Sequence, residues 1–426
     1  MGASFLGLML LSLVIWLGLL TLRGQFWRSD QRLEVGEVQL NYLPRICAVV
    51  PARNEADMIP MSLRSLLLQD YPGDFQVFLV DDQSTDGTAA FAEGVAHAVD
   101  KAQQLHIVKS ESLPPGWSGK LWAIEQGICN AKTLAPDYFF LTDADIEHDV
   151  SNLRRLVAKA VQEDLDLASV MVKLRCESFW EKFLIPAFVF FFQKLYPFRW
   201  VNNPKNKTAA AAGGCILIRA TALEQIGGIQ VIRQALIDDC TLAQVVKGTG
   251  NNSKFKIPYG KLKLQNSKIY NSPPTPSSPS SPSSPPSPQS RKIWLGLSSL
   301  TYSLRPYQSL QTIWDMVART AYTQLNYSPW LLLGTVAAMT LIYLLPPVGT
   351  IIGLLMGNWG IALTGLATWL LMSLAYLPTI RFYKLSPFLA FSLPAIAFLY
   401  TLMTIDSALR HWQGRGGAWK GRVYSG

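Results

Sequence analysis

Residues 138–149 read YFFLTDADIEHD, a hydrophobic run that ends in Asp143-Ala144-Asp145. An aromatic-rich run this short predicts a buried β-strand. A strand that stops at Leu141 leaves two carboxylates just past its C-terminal edge, where open α/β sheets bind their ligands. Two acids so close repel each other unless something positive sits between them. Hard oxygen donors of this kind suit Mg²⁺ or Mn²⁺. A strand followed by an acidic helix cap, at Asp145 or Asp149, is the competing reading. The rest of the chain decides between the two.

Upstream, the same pattern repeats. Residues 46–50 are an apolar run entering Pro51-Ala52-Arg53-Asn54-Glu55, and 59–68 reads as a helix stopped by Gln69-Asp70-Tyr71-Pro72-Gly73. A second strand over 75–80 ends in Asp81-Asp82-Gln83-Ser84-Thr85-Asp86-Gly87-Thr88. A helix over 88–100, a strand over 105–108, a loop to Gly119-Lys120 and a helix over 121–132 follow. Downstream come a helix over 152–163 and a strand over 168–174. The small residues AAAAGG at 209–214 would let backbone approach a ligand closely. Asp238-Asp239 then opens a helical stretch to Lys247. Strands alternating with helices predict an α/β, doubly wound, mostly parallel sheet, with acidic loops at its strand ends.

The composition points to a membrane. Of 426 residues, 49% are hydrophobic, and the net charge of +9 is concentrated beside apolar stretches and in the tail. That distribution fits a cytoplasmic membrane surface better than nucleic acid. Five cysteines without C-x-x-C spacing give neither a disulfide framework nor a zinc site, and fit a reducing compartment. Residues 1–22 carry no charged side chain, and Arg23, Arg28 and Arg32 follow. Residues 1–23 are therefore expected to be an anchor, with the next domain on the cytoplasmic side.

The globular domain is expected over 40–248, interrupted by a disordered insert over 249–292 that contains PPTPSSPSSPSSPPSP. Residues 293–328 complete that domain, 329–405 hold transmembrane helices, and 406–426 form a basic tail. The segment FWEKFLIPAFVFFFQKLYPF (179–198) contains Glu181, Lys182, Pro186 and Lys194. It reads as lying in the membrane interface, with a buried core helix as the alternative. Residues 329–380 predict at least two spans, broken at Pro346-Pro347, before a further apolar stretch at 385–405. Three crossings after a cytoplasmic domain would put the basic tail outside, against the charge rule. Either 329–380 holds three short spans, or the segment with Pro387 and Pro394 is re-entrant.

The markers stand in a fixed order: Pro-Ala-Arg-Asn-Glu, Asp-Asp-x-Ser-x-Asp-Gly-Thr, Gly-Lys, Asp-x-Asp, Asp-Asp before a helix, and Arg319 in a pre-membrane helix. That order resembles the family 2 (GT-A type) nucleotide-sugar glycosyltransferases, in a membrane branch similar to ceramide glucosyltransferases. LIPAFVFFFQKLYPF, AAAAGGC, LIDDC and MVARTAY further resemble the hopene-associated glycosyltransferases of bacterial hopanoid gene sets. Apart from the insert, that resemblance covers nearly the whole chain.

The resemblance implies a UDP-sugar donor held by the loop with Pro51, Arg53 and Glu55 and by Asp82. It puts Asp143 on the ribose or a metal-bound water, and Asp145 on the Mg²⁺ or Mn²⁺ that bridges the diphosphate. Lys120 adds positive charge there. Asp239 is the expected general base, with Asp238 as the alternative base or an orienting partner. Arg319 either grips phosphate oxygens or anchors its helix at the membrane surface; of the branch's (Gln/Arg)-x-x-Arg-Trp motif, only this Arg is kept. One carboxylate base without a carboxylate nucleophile implies a single displacement with inversion. The expected protein is an integral enzyme of the bacterial cytoplasmic membrane that glycosylates a lipid entering along 179–198. A polysaccharide synthase of the same fold and a non-catalytic scaffold are the rival readings. A transporter is disfavoured, because residues 320–380 carry no charge.

Overall fold

The computed structural model describes residues 2–33, 40, 42–249, 291–415, 418–419 and 422–423. Nearly all of the stretch expected to be a disordered insert, and Lys420 of the basic tail, lie outside the described residues.

Eight strands form one sheet: β1 (Ile46–Ala52), β2 (Phe75–Asp81), β3 (Leu105–Lys109), β4 (Tyr138–Leu141), β5 (Ile146–Glu147), β6 (Leu167–Lys173), β7 (Ile216–Arg219) and β8 (Ile293–Ser303). Their order across the sheet is β3-β2-β1-β4-β7-β6-β8-β5. Every residue of β1 and β4 is buried, as the unbroken apolar runs require of central strands covered on both faces. β1 to β4 pair in parallel, and the register sets Ala52 beside Asp81 and Val49 beside Leu141. The loops after β1, β2 and β4 therefore leave the sheet along one edge.

The sheet is mixed rather than uniformly parallel. β7 runs antiparallel to both β4 and β6, and β5 runs antiparallel to β8. The long 174–215 connection leaves β6 and enters β7 at the same edge of the sheet, so β7 fills the centre in the opposite sense. β8, which runs parallel to β6, follows the Pro/Ser-rich stretch and has no counterpart among the expected elements.

Helices α1 (Gly2–Leu22), α2 (Ile59–Leu67), α3 (Thr88–Ala98), α4 (Gly119–Ala131) and α5 (Asn152–Gln162) precede the aromatic α6 (Phe179–Leu195). α4 lies directly on the sheet at Gly127. A Cβ there would come within 2.4 Å of Val49 Cγ1 and 2.8 Å of Val80 Cγ2. α6 begins with a capping box between Ser178 and Glu181. The buried Glu181 carboxylate also accepts the Tyr307 N–H at 2.7 Å, tying α6 to the chain after β8. The packing of 179–198 is that of a helix with one buried face. Phe179 is 70% exposed, while Leu184, Ile185 and Phe190 are buried. Tyr400 donates to the Leu184 carbonyl at 2.9 Å, and Phe190 meets Tyr376 edge-on.

After α7 (Asp238–Thr249) and α8 (Leu310–Ala318) come α9 (Pro329–Leu355), α10 (Trp359–Phe382) and α11 (Leu393–Trp412). Among the described residues, four stretches, Ala3–Leu22, α9, α10 and Pro387–Trp412, are long and apolar enough to cross a membrane. Pro346-Pro347 does not break α9, contrary to the sequence expectation. A π-helical turn at Thr340–Leu344 opens the backbone just before the prolines and relieves their clash with the preceding turn. The chain reverses instead at Gly357, whose φ is +66°.

Both ends of the last apolar stretch lie against the globular part. At one end Lys173 Nζ sits 5.7 Å from the Tyr383 ring. At the other, Asp406 accepts from Trp314 at 2.7 Å, Arg410 pairs with Asp315 at 2.6 Å, and Ser407 accepts the Tyr322 N–H. Between the two ends, Trp369 of α10 donates to the Phe391 carbonyl at 3.1 Å.

Candidate functional site

The loops after β1 and β2 are stitched together by short side chains. The Asn54 N–H donates to Ser84 Oγ at 3.0 Å, the Glu55 N–H to Thr88 Oγ1 at 2.9 Å, and the Thr85 N–H to Asn54 Oδ1 at 2.9 Å. Arg53 donates to the Asp82 carbonyl at 2.6 Å and stands 3.6 Å from its carboxylate, which is fully buried. These short polar side chains thus join the two loops into one hydrogen-bonded platform.

Lys120 is the centre of the charged cluster. Ser118 caps α4 by accepting the Leu121 N–H, which fixes the first turn and sends Lys120 inward. Its Nζ lies 2.9 Å from Asp143 Oδ1 and 3.1 Å from Asp238 Oδ2. Burial opposes its charge, but these two carboxylates outweigh burial and hold the lysine above its usual pKa. Burial pushes the Asp143 carboxyl above the usual carboxylate range, although Lys120 pulls it back.

Asp239 is held at both oxygens: Oδ2 accepts the Gly213 N–H at 2.9 Å and Oδ1 the Cys240 N–H at 2.7 Å. The small AAAAGG residues let this backbone come so close. Burial, then the neighbouring Asp238, push the Asp239 carboxyl up to about 6. Tyr196, at the end of α6, donates to Gln324 at 2.9 Å and lies close enough to Cys240 and Asp239 to feel their charge.

Pro51, Lys120, Asp143, Gly213, Asp238 and Asp239 line one open cleft of about 340 Å³. Of the remaining residues singled out in the sequence, Arg53, Glu55, Asp82 and Asp145 stand in the adjoining strand-end loops, outside its lining. Arg319 ends α8 on the exposed surface, outside the cleft lining; burial and then Asp145 raise the pKa of the nearby Tyr307 hydroxyl, and Arg319 only opposes that rise.

One residue of the cluster was missed in the sequence. Arg305, two residues past β8, places Nε 2.9 Å from Asp145 Oδ2 and Nη2 2.7 Å from Glu55 Oε1. Its signal was a lone charge straight after an apolar run, the same arrangement that marked the other loops. Among the described residues, no three His, Cys, Asp or Glu side chains are arranged to hold a metal ion by themselves. The carboxylates nonetheless suit a hard cation. Mg²⁺ commonly binds through one or two protein carboxylates, with substrate phosphates completing its shell.

Residues 47–227 match the model of glycosyl transferase family 2. Over 126 residues the chain is 31% identical to a β-monoglucosyldiacylglycerol synthase of Synechocystis and 29% identical to an undecaprenyl-phosphate mannosyltransferase of Micrococcus luteus. These matches take in 29% of this chain, and 25% and 48% of those relatives. A mannosyltransferase of Pyrobaculum calidifontis, solved with GDP-Man and Mn²⁺, shares the fold over 96% of this chain and 99% of its own, with TM-score 0.51 at 16% identity. The family match takes in the strand-end loops and Asp143 on the mixed α/β sheet, so this part of the chain is similar to glycosyl transferase family 2.

Proposed function

We propose that the whole chain is a membrane-bound, inverting glycosyltransferase that moves a sugar from a UDP-sugar to a lipid. One observation carries this reading: a partly buried carboxylate, Asp239, opens onto the same cleft as Lys120 and Asp143, beside a helix packed on apolar helices. Pro51, Arg53, Glu55 and Asp82 would bind the nucleoside. Asp145, with Asp143, would hold Mg²⁺ or Mn²⁺. Bound there, the ion would offset the charge that develops on the leaving diphosphate. Lys120 adds a fixed positive charge on the same side.

Asp239 takes the proton from the acceptor hydroxyl. Its raised pKa makes it a stronger base than an exposed carboxylate, and its two backbone donors hold it in one orientation. Asp238 spends its charge on Lys120 and orients the pair, which favours Asp239 over Asp238 as the base. Arg319, outside the cleft, suits the acceptor side. The lipid would approach along α6, whose last turn brings Tyr196 beside Asp239. Both lipid-modifying relatives support a lipid acceptor, and the hopanoid class follows from the sequence resemblance.

The membrane arrangement follows from the two anchored ends of 383–412. The fourteen residues from Trp369 to Phe382 rise about 20 Å, against a hydrocarbon core of about 30 Å. A turn that reaches only as deep as Trp369 therefore stops short of the far side, and we read Pro387–Trp412 as re-entrant. Three stretches then cross, and Arg410 and Arg415 stay with Arg23, Arg28 and Arg32 on the side of the transferase domain. The conflict with the charge rule disappears.

The anomeric proton of the product glycolipid tests the mechanism. A β-linked product from an α-linked UDP-sugar is expected; an α-linked product would exclude single displacement by Asp239.

A further inference from the structure

Arg305 occupies a position that the proposed chemistry leaves unexplained. Its guanidinium bridges Asp145 and Glu55, carboxylates from two different strand-end loops, at 2.9 and 2.7 Å. Asp145 Oδ2 takes a second donor from Ser303 at 3.2 Å, and the Asp145 carbonyl accepts the Leu304 N–H at 2.8 Å. The chain after β8 is thus folded around Asp145, with a cation on the carboxylate that would hold the metal ion. Both carboxylates are nearly buried, their side chains 11% and 8% exposed, so the charge-assisted contacts are only partly screened.

We infer that Arg305 is a positioning residue that acts as a resident counter-ion: it holds Asp145 in place while the site is empty and competes with the divalent ion for that carboxylate. A divalent ion on Asp145 would face a guanidinium at contact distance, so one cation must give way. Displaced, Arg305 keeps Glu55 and has N–H groups to spare for the phosphate oxygens that arrive with the ion. Binding of metal alone would then be weak, and metal with nucleotide much stronger. This coupling protects against stray ions in the absence of donor. The inference rests on the proposed metal role of Asp145.

The test is Mn²⁺ binding to the full-length protein in detergent, followed by loss of the free-ion EPR signal, without nucleotide. Arg305→Gln is expected to bind Mn²⁺ about tenfold more tightly than the parent, the equivalent of removing one charge-assisted hydrogen bond. Arg305→Lys, which cannot bridge both carboxylates, is expected to fall between them and guards against a Gln variant that fails to fold. Asp145→Asn should abolish binding. A role confined to holding the loop would instead weaken Mn²⁺ binding in Arg305→Gln, and that result, or an unchanged affinity, overturns the inference. So does an absence of Mn²⁺ binding in every variant. Tighter binding in Arg305→Gln from a parent that transfers no sugar would uphold the competition and reject the transferase reading alone.

Discussion

Asp239 offers the sharpest test of the site. A carboxyl with a pKa of about 6 is ionised in roughly one molecule in eleven at pH 5 and in about nine tenths at pH 7. If it is the base, kcat/KM falls about tenfold between pH 7 and pH 5. A carboxyl at the ordinary 3.8 would stay more than about nine-tenths ionised over that range and give an almost flat profile. Asp239→Asn should cost about 10²–10⁴ in kcat and leave a residual rate without the acid limb.

Stability gives an independent reading of the same group. Because the folded pKa lies above the unfolded one, the contribution is present below about 3.8 and lost as pH rises through about 6, a total of roughly 3 kcal/mol. Asn removes that dependence, while leaving one of the two N–H donors without its acceptor. The melting temperature of the variant relative to the parent should therefore rise between pH 5 and pH 7. The assay is sugar transfer in bilayers at fixed saturating metal, with thermal unfolding on the same samples. A flat profile from pH 5 to 7, with parallel melting curves, would refute the role given to Asp239.

Three further perturbations follow from the geometry. Lys120→Met removes the cation between Asp143 and Asp238; kcat should fall about 10²-fold, and the acid limb should move above pH 6, because Lys120 pulls Asp239 down. Gly127→Ala forces a methyl into Val49 and Val80, and should cost about 1–3 kcal/mol in thermal unfolding without changing KM. Single cysteines replacing Ser386 or Arg415, in a chain freed of its own five, should react from the same side of the membrane as one at Ser84. One at Gly357 should react from the other side, and labelling of Arg415→Cys together with Gly357→Cys would mean that the last stretch crosses.

Much of the fold could be read from the sequence, because β1 and β4 are unbroken apolar runs, and β2 one interrupted only by Gln76, that stop at polar residues. That punctuation placed Pro51, Asp82 and Asp143 at strand ends, and the parallel register of β1 with β2 and β4 gathers those ends. The opposed sense of β7 was not legible, since a short apolar run looks alike in either direction and only the path of 174–215 sets it. β8 was hidden by its place after a Pro/Ser-rich stretch, and Arg305 was lost with it. Lys120 was legible only as part of the Gly-Lys marker; its place at the centre of the cluster comes from tertiary contact with Asp143 and Asp238, far apart in sequence. Pro346-Pro347 misled because a π-helical turn can absorb a pair of prolines.

The most direct measurement follows radiolabel from a panel of UDP-sugars, with Mg²⁺ or Mn²⁺, in membranes containing the protein or its Asp239→Asn variant. Label entering the lipid extract with the parent and not with the variant is the predicted result, and it would also name the sugar. Label in water-insoluble polymer, or no donor consumed with any native lipid extract, would contradict transfer to a lipid.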